Sequence, residues 1–149
     1  VREARGEYLI IQNPDTMVTP GWVQRLLGPL RRDPATGMSA PVTNFSGNET
    51  KINFSYRNVR EMEAFAEEIA RRKFQETHPL QVAPLLCALI PRLLWERLGG
   101  LDEQFAVGMF EDDDFSLRLR NSGFSIAIAE DCFIHHFGNG AFQQIAPSQ

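Results

Sequence analysis

Residues 95–123 read WERLGGLDEQFAVGMFEDDDFSLRLRNSG and place four carboxylates side by side, from Glu111 to Asp114. Such a run is typical of a helix start, where Asp112 is the cap and the next acids stabilise the positive end of the helix. The approach to the run, Phe105 to Phe110, is apolar, and an acid beside an apolar wall has a raised pKa, which makes it a usable base. Because successive helical residues point about 100° apart, one or two of these acids face any one cleft. On spacing alone helix capping is the commoner role of such a run, and the apolar approach keeps catalysis open as a second role beside it.

The composition narrows the class of protein. The chain has 149 residues, of which 43% are apolar and 23% charged, values that fit one globular domain. The net charge of −4 argues against a nucleic-acid-binding surface, and no apolar run reaches the roughly 18 residues that span a bilayer. The two cysteines, Cys87 and Cys132, are not spaced as a metal-binding motif. We therefore expect a reduced protein in the cytoplasm.

The hydrophobic pattern alternates between strands and helices, which predicts an α/β fold. The first strand is continuously apolar, as is typical of a parallel strand covered on both faces. Residues 43–56 are polar and are predicted to form a long loop, a kind of segment that often carries function. The predicted strands are 7–12, 38–42, 82–90, 124–129 and 132–136, and the predicted helices are 20–33 with Thr19 as cap, 59–76, 92–98 and 112–121.

Two further groups of polar residues are candidates for a binding site. Asn13-Pro14-Asp15 follows the first strand, where ligands bind in open α/β sheets, and a carboxylate there is suited to Mg²⁺ with phosphate oxygens. The simpler interpretation of this tripeptide is an Asx-Pro turn. His135-His136 ends the last strand, and strand alternation sends the two imidazoles to opposite faces. At most one of them enters a given site, and a surface pair or a satisfied core residue is the commoner role.

Taken together and in order, six segments resemble family 2 glycosyltransferases of the GT-A fold: GEYLIIQNPDT, TPGW, PVTNFSGNE, LIPRLLWERLGGLDEQF, GMFEDDDFSLRLRNSGF and AEDCFIHHFG. The resemblance runs from Gly6 to Phe142 and implies a mixed sheet flanked by helices. It implies that residues 1–142 are the C-terminal, metal- and acceptor-binding part of such a domain, with the nucleotide-binding half upstream of Val1. Residues 143–149 are expected to be a tail.

If the other half of the domain lies upstream of Val1, part of the sheet is missing from this chain, and the first strand is affected. Tyr8 to Ile11 would present an open apolar edge, and exposed edges of this kind promote association. We therefore expect the isolated fragment to form a homodimer or to have poor donor affinity and little activity.

The resemblance implies a metal site. Asp15 stands at the family's DxD motif and would ligate Mg²⁺ or Mn²⁺ bridging the diphosphate of the nucleotide-sugar. Asn13, where many members have Asp, is a neutral and weaker ligand and is assigned to substrate binding. His136 matches the family histidine that completes the metal site, and His135 is the second choice.

The resemblance also implies an acceptor site. Asp112 would be the general base that takes the proton from the acceptor hydroxyl, and Glu111 would hold the acceptor. The other two acids of the run are assigned to capping and helix support. Gly99 and Gly100, with the segment from Asp102 to Phe105, would form the acceptor-side loop. The loop from Asn44 to Asn48 is a second substrate-contacting candidate, with Asn48 as its binding residue.

The implied activity is inverting transfer of a hexosyl or deoxyhexosyl group from a nucleotide-diphospho-sugar to a hydroxyl of a glycan or lipid-linked acceptor. The setting it implies is polysaccharide biosynthesis at the inner face of the membrane, with peripheral membrane association. One alternative is a non-catalytic glycan-binding or interaction module derived from a transferase domain, which Asn13 and the missing nucleotide half favour. Another is a metal-dependent phosphotransferase or hydrolase, which the lack of a P-loop or an HExxH motif disfavours.

Overall fold

The computed structural model describes residues 3–102, 104 and 110–138. Within these residues the chain forms four helices and one mixed six-stranded sheet, the fold class that the sequence predicts. The elements in chain order are β1 (Tyr8–Gln12), β2 (Thr16–Met17), α1 (Trp22–Arg32), β3 (Thr36–Thr43), α2 (Val59–Arg72), β4 (Thr77–Leu80), β5 (Cys87–Pro91), α3 (Arg92–Leu98), α4 (Glu111–Asn121) and β6 (Ser125–His136).

The strand order is β1-β5-β3-β6-β2, and β4 also pairs with β6. Only β3 and β6 are parallel among the described pairs, so the predicted parallel setting of the first strand is wrong. β1 stands at one end of the sheet, antiparallel to β5. Its continuous apolar run has another origin, because Leu9 contributes to the core on one face of the sheet while Tyr8 and Ile10 pack against the core on the other.

The sheet has an apolar core on each face. Neighbouring residues of one strand belong to different cores, as Leu89 and Ile90 do in β5 and Phe133 and Ile134 do in β6. One core contains Leu26 of α1, and the other contains side chains from α2, α3 and α4. Both cysteines, Cys87 and Cys132, are buried and unpaired in the core beneath α1.

The last two predicted strands form one strand, β6, interrupted by a bulge. Pro41 of β3 pairs with Ala129, whereas the next residue, Val42, pairs with Phe133. The acids of this bulge, Glu130 and Asp131, resemble a turn in the sequence, but they bind the α2–β4 connection. Glu130 pairs with Lys73 at 3.0 Å, and Asp131 accepts a hydrogen bond from the Gln75 amide at 3.0 Å. The same connection leads into β4, whose exposed and proline-containing sequence gives no strand signal.

Two predicted helix caps are wrong. Thr19 is buried and donates its hydroxyl to the Phe133 carbonyl at 2.7 Å, and α1 begins at Trp22 behind a left-handed Gly21. Asp112 lies inside the first turn of α4, which begins after Phe110, a residue with a φ of 78°. In both cases the residue before the helix has a left-handed backbone and no side-chain acceptor, so neither helix begins with a side-chain cap.

No helix in the described ranges combines the length and the apolar character that crossing a bilayer demands. The expected tail, residues 143–149, lies outside the described residues.

A glycine of β3 provides a test of the packing between sheet and helices. A Cβ on Gly37 would lie 2.8 Å from Leu94 and 2.8 Å from Phe124, whereas a Cβ on Gly47 would have nothing within 4 Å. Gly37→Ala should therefore lower the free energy of unfolding by about 1–3 kcal/mol through overpacking. Gly47→Ala is the matched control and should change it by less than about 0.5 kcal/mol. Equal urea midpoints for the two variants would contradict this packing.

Candidate active site

The short strand β2 brings the turn after β1 to the end of β6. Thr16 pairs with His136 and Met17 with His135, and the Phe137 amide donates to the Asp15 carbonyl at 2.9 Å. Backbone hydrogen bonds therefore hold Asp15 beside His136, although the two residues are far apart in the sequence.

The side chains of Asp15 and His136 meet at this edge of the sheet. Asp15 Oδ2 lies 3.2 Å from His136 Nε2, and the two side chains are 15% and 14% exposed. The other carboxylate oxygen, Asp15 Oδ1, is buried and has no hydrogen-bond partner in the described part of the chain. The pair therefore holds unused acceptor capacity in a largely desolvated position.

The tautomer of His136 follows from its second contact. Its Nδ1 atom lies 2.8 Å from the carbonyl oxygen of Phe45, which can only accept, so Nδ1 carries the proton. In a neutral ring Nε2 then turns a lone pair towards Asp15. Two acceptors at this separation repel, so a proton or a metal cation belongs between them.

Asn44 holds His136 from the other side. Its Nδ2 donates to the His136 carbonyl at 3.0 Å, and its Oδ1 accepts from the His136 amide at 2.7 Å. Asn44 is buried at the carboxyl end of β3, where its side chain positions the backbone of His136. Contact of the loop from Asn44 to Asn48 with substrate stays a prediction. The sequence signal is an asparagine directly after a strand, but its partner is visible only once β3 and β6 are paired.

His135 occupies a different environment, as strand alternation predicts. Its Nδ1 is hydrogen-bonded to the Tyr56 hydroxyl, and its ring packs against Tyr56 and Phe137. Burial, and then the nearby His136, lower the pKa of His135, while burial raises the pKa of Tyr56 to about 12. The Asp15 carboxylate thus meets His136, not His135.

The acids of α4 lie at another place near the same loop. Asp112 and Asp113 line an open cavity of about 380 Å³ together with Asn48 and Glu49. Desolvation raises the pKa of Asp112 above its ordinary value of 3.8, and the negative charges of Asp113 and Glu111 act in the same direction. A hydrogen bond from the Asp113 amide at 3.0 Å opposes these effects. The direction of the pKa shift agrees with the sequence expectation. Of the apolar lead-in expected to cause it, Phe110 is 59% exposed and residues 105–109 lie outside the described residues.

Asn48 shapes the wall of that cavity through its own hydrogen bonds. Its Nδ2 donates to the Val82 carbonyl at 2.9 Å, and its Oδ1 accepts from the Thr50 amide at 3.1 Å and the Thr50 hydroxyl at 2.7 Å. The loop that faces Asp112 is therefore a fixed structure.

The remaining acids of the run have distinct environments. Glu111 has a buried oxygen, Oε2, without a hydrogen-bond partner in the described residues. Asp114 accepts from Arg118 Nε at 2.8 Å, and Arg118 also donates to the carbonyls of Leu98 at 2.6 Å and Gly100 at 2.9 Å. Asp114 thus supports the helix and, through Arg118, ties α4 to the turn after α3.

The structure gathers the predicted residues at three places. Asp15 meets His136, Asp112 shares a cavity with Asn48, and Gly99 with Gly100 lines a separate open cavity beside Arg118.

Asn13 is exposed in the turn after β1, and its backbone N–H donates a hydrogen bond to the Leu86 carbonyl at 2.9 Å. The cavity that Asp112 lines includes neither Asp15 nor His136, and in the described residues no group of three His, Cys, Asp or Glu side chains could hold a metal ion.

Comparison with known proteins identifies the family. The model of glycosyl transferase family 2 matches residues 1–96, a match that ends within α3 and before the acidic run. A crystal structure of GalNAc-T7 with UDP, GalNAc and Mn²⁺ has the same fold at a TM-score of 0.65 and 14% identity. The match covers 91% of this chain and 28% of that chain, so this chain spans less than a third of the solved protein. No curated protein sequence matches significantly. Since the family model covers well over half of the chain and the fold is GT-A, the chain belongs to glycosyl transferase family 2.

Proposed function

We propose that this chain provides the metal- and acceptor-binding part of an inverting glycosyltransferase. Its donor is a nucleotide-diphospho-sugar and its acceptor is a hydroxyl group of a glycan or a lipid-linked glycan. The observation that carries the proposal is the contact of Asp15 with His136 at 3.2 Å, fixed by backbone pairing at the edge where β3 and β6 end. Family membership and the GT-A fold support the assignment of this edge to the donor diphosphate.

The residues present fit a divalent metal. A histidine that ligates a metal usually donates its other ring nitrogen to a carbonyl, as His136 does to Phe45. Asp15 adds a buried oxygen without a partner in the described chain. Asp15 and His136 would therefore hold the metal, with the carboxylate and the imidazole Nε2 atom as its protein ligands.

Two protein ligands are enough for this kind of ion. Mg²⁺ and similar ions commonly bind one or two carboxylates and complete their shell with water and substrate phosphates. When bound, the metal would supply positive charge to the leaving diphosphate. Asn13 lies in the same turn as Asp15 and is proposed to contact the donor.

Asp112 is proposed as the base. The acceptor hydroxyl loses its proton to the Asp112 carboxylate as its oxygen bonds to the anomeric carbon. The bond from that carbon to the diphosphate breaks on the opposite face, and the diphosphate leaves with the electron pair, which inverts the anomeric centre. The raised pKa of Asp112 strengthens it as a base, and Glu111, its neighbour at the start of α4, is proposed to hold the acceptor.

An assay of donor cleavage with and without acceptor tests the activity in the full-length protein. A transferase consumes donor chiefly when acceptor is present, a hydrolase consumes it equally without acceptor, and a binding module consumes none. Acceptor-independent cleavage or the absence of turnover with a broad set of nucleotide-sugars would overturn the proposal. Location at the inner membrane face and dimerisation through β1 stay predictions.

Replacement of the proposed base tests its role. Asp112→Asn should lower kcat by about 10²-fold or more while donor affinity is unchanged, because the amide cannot take the proton. Asp113→Asn is the matched control, since Asp113 is exposed at the same cavity. In the wild type kcat should rise with pH through a pKa above 3.8, since the deprotonated carboxylate is the active form, and Asp112→Asn should lose this dependence. Near-normal turnover of Asp112→Asn would remove Asp112 from the role.

Calorimetric titration with Mn²⁺ and nucleoside diphosphate tests the metal site without turnover. Asp15→Ala should abolish measurable metal binding, and Asn44→Ala should weaken it by about 10–100-fold, because Asn44 orients the backbone of His136. Asn121→Ala, at the exposed end of α4, is the control and should titrate as the wild type does. An unchanged titration of Asp15→Ala would leave Asn13-Pro14-Asp15 as a turn only.

A further inference from the structure

An aromatic cavity lies beside the candidate donor site. It has a volume of about 330 Å³ and is formed between the segment before α2, the first turns of α2 and the ends of β2 and β6. Its wall includes Phe54, Tyr56, Met62, His135 and Phe137.

The aromatic wall is held in place by contacts among its own rings. The Phe54 and Tyr56 rings are 4.8 Å apart between centroids, and those of His135 and Phe137 are 4.5 Å apart. The Tyr56 hydroxyl joins the two pairs through its bond to His135 Nδ1, and the Tyr56 ring packs on the buried Phe133. The wall is therefore anchored in the core.

Two of these rings face solvent although they are large and apolar. Phe54 is 47% exposed and Phe137 is 59% exposed. Exposed apolar side chains that gather around one cavity mark a binding site more often than scattered ones do. Their removal from water on ligand binding contributes to affinity.

The cavity adjoins the proposed metal site without being part of it. Met17 and His135, which line the cavity, pair with each other directly beside the pair Thr16 and His136. Because neighbouring strand residues point to opposite faces, His135 and His136 serve different sides of this strand pair, and a ligand among these rings does not occupy the place proposed for the donor.

From this geometry we infer that the cavity binds a sugar ring of the acceptor, an inference that rests on the proposed function. The flat C–H face of a pyranose matches the exposed ring faces, and its hydroxyls meet polar groups at the rim. Arg57 lies at this rim, and no carboxylate lines the cavity in the described part of the chain. The guanidinium of Arg57 can donate hydrogen bonds to sugar hydroxyls, and the mainly apolar and aromatic wall suits the C–H face of a saccharide better than a phosphate-rich ligand. A volume near the lower end of the usual range of about 300–1,000 Å³ fits one or two rings.

Nuclear magnetic resonance tests the site directly, because His135 lies in the wall and its imidazole signals report an occupant. The full-length protein is titrated with methyl glycosides of hexoses and 6-deoxyhexoses, without donor or metal. At least one glycoside should shift the His135 signals. Its affinity should fall by about tenfold or more in the Phe54→Ala/Phe137→Ala double variant, which loses apolar contact area.

The control is Phe74→Ala, because Phe74 is 69% exposed and does not line the cavity. This variant should bind the glycoside as the wild type does, which separates loss of the aromatic wall from loss of any surface phenylalanine. In transfer assays the double variant should raise the acceptor KM by about tenfold with the donor KM unchanged, whereas Phe74→Ala should change neither.

The outcomes separate this inference from the proposed function. Glycoside binding at His135 without sugar transfer would overturn the proposed function and leave a saccharide site. Transfer with an unaltered acceptor KM in the double variant would overturn the inference and leave the function. Shifts caused by n-octanol but by no glycoside at its highest soluble concentration would show a plain apolar cavity and also overturn it.

Discussion

The parallel pairing of β3 with β6 is the constraint on which the candidate site depends. It continues to Thr43 and Ile134, so both strands end at the same edge of the sheet. Asn44, the residue after β3, is therefore in reach of the His136 backbone, and its two hydrogen bonds lock the last residue of β6. A shift of this register by one residue would reverse the direction of every side chain of β6 and would exchange His135 with His136. The bulge before Phe133 helps to determine which histidine meets Asp15.

The loop after β3 contributes to each place where chemistry is proposed. The Phe45 carbonyl accepts a hydrogen bond from His136 Nδ1, Asn48 lines the cavity of Asp112, and the Tyr56 hydroxyl is hydrogen-bonded to His135. A single segment thus borders the proposed donor site, the proposed base and the aromatic cavity. Its hydrogen bonds to Val82 and to the end of β6 restrain it from both sides. Substrates bound at these places would each contact one continuous, preformed loop, which lowers the conformational entropy lost on binding.

The sequence predicts elements whose signal is local, and it misses those whose cause lies elsewhere in the chain. The α2 and α3 helices follow from apolar periodicity, and α3 ends at the left-handed Gly99, as the double glycine indicates. The antiparallel orientation of β1 cannot be predicted from its sequence, because a strand covered by helices on both faces has the same apolar run whether it is parallel or antiparallel to its neighbour. The proximity of Asp15 and His136 was predicted through family resemblance. The positioning role of Asn44 cannot be predicted from the sequence. Asn44 binds the backbone of His136, and a backbone group is the same whichever amino acid carries it.

The buried carboxylate oxygens bear on the balance between stability and function. Asp15 Oδ1 and Glu111 Oε2 lack hydrogen-bond partners in the described residues, and each such group costs about 1–3 kcal/mol of stability. Their retention is explained if a cation covers Asp15 and an acceptor hydroxyl covers Glu111, because the unfavourable desolvation is then already present before the ligands arrive. The ligands stabilise the folded state by binding to it alone. The same oxygens that weaken the free protein thus increase the affinity for the groups that it is proposed to hold.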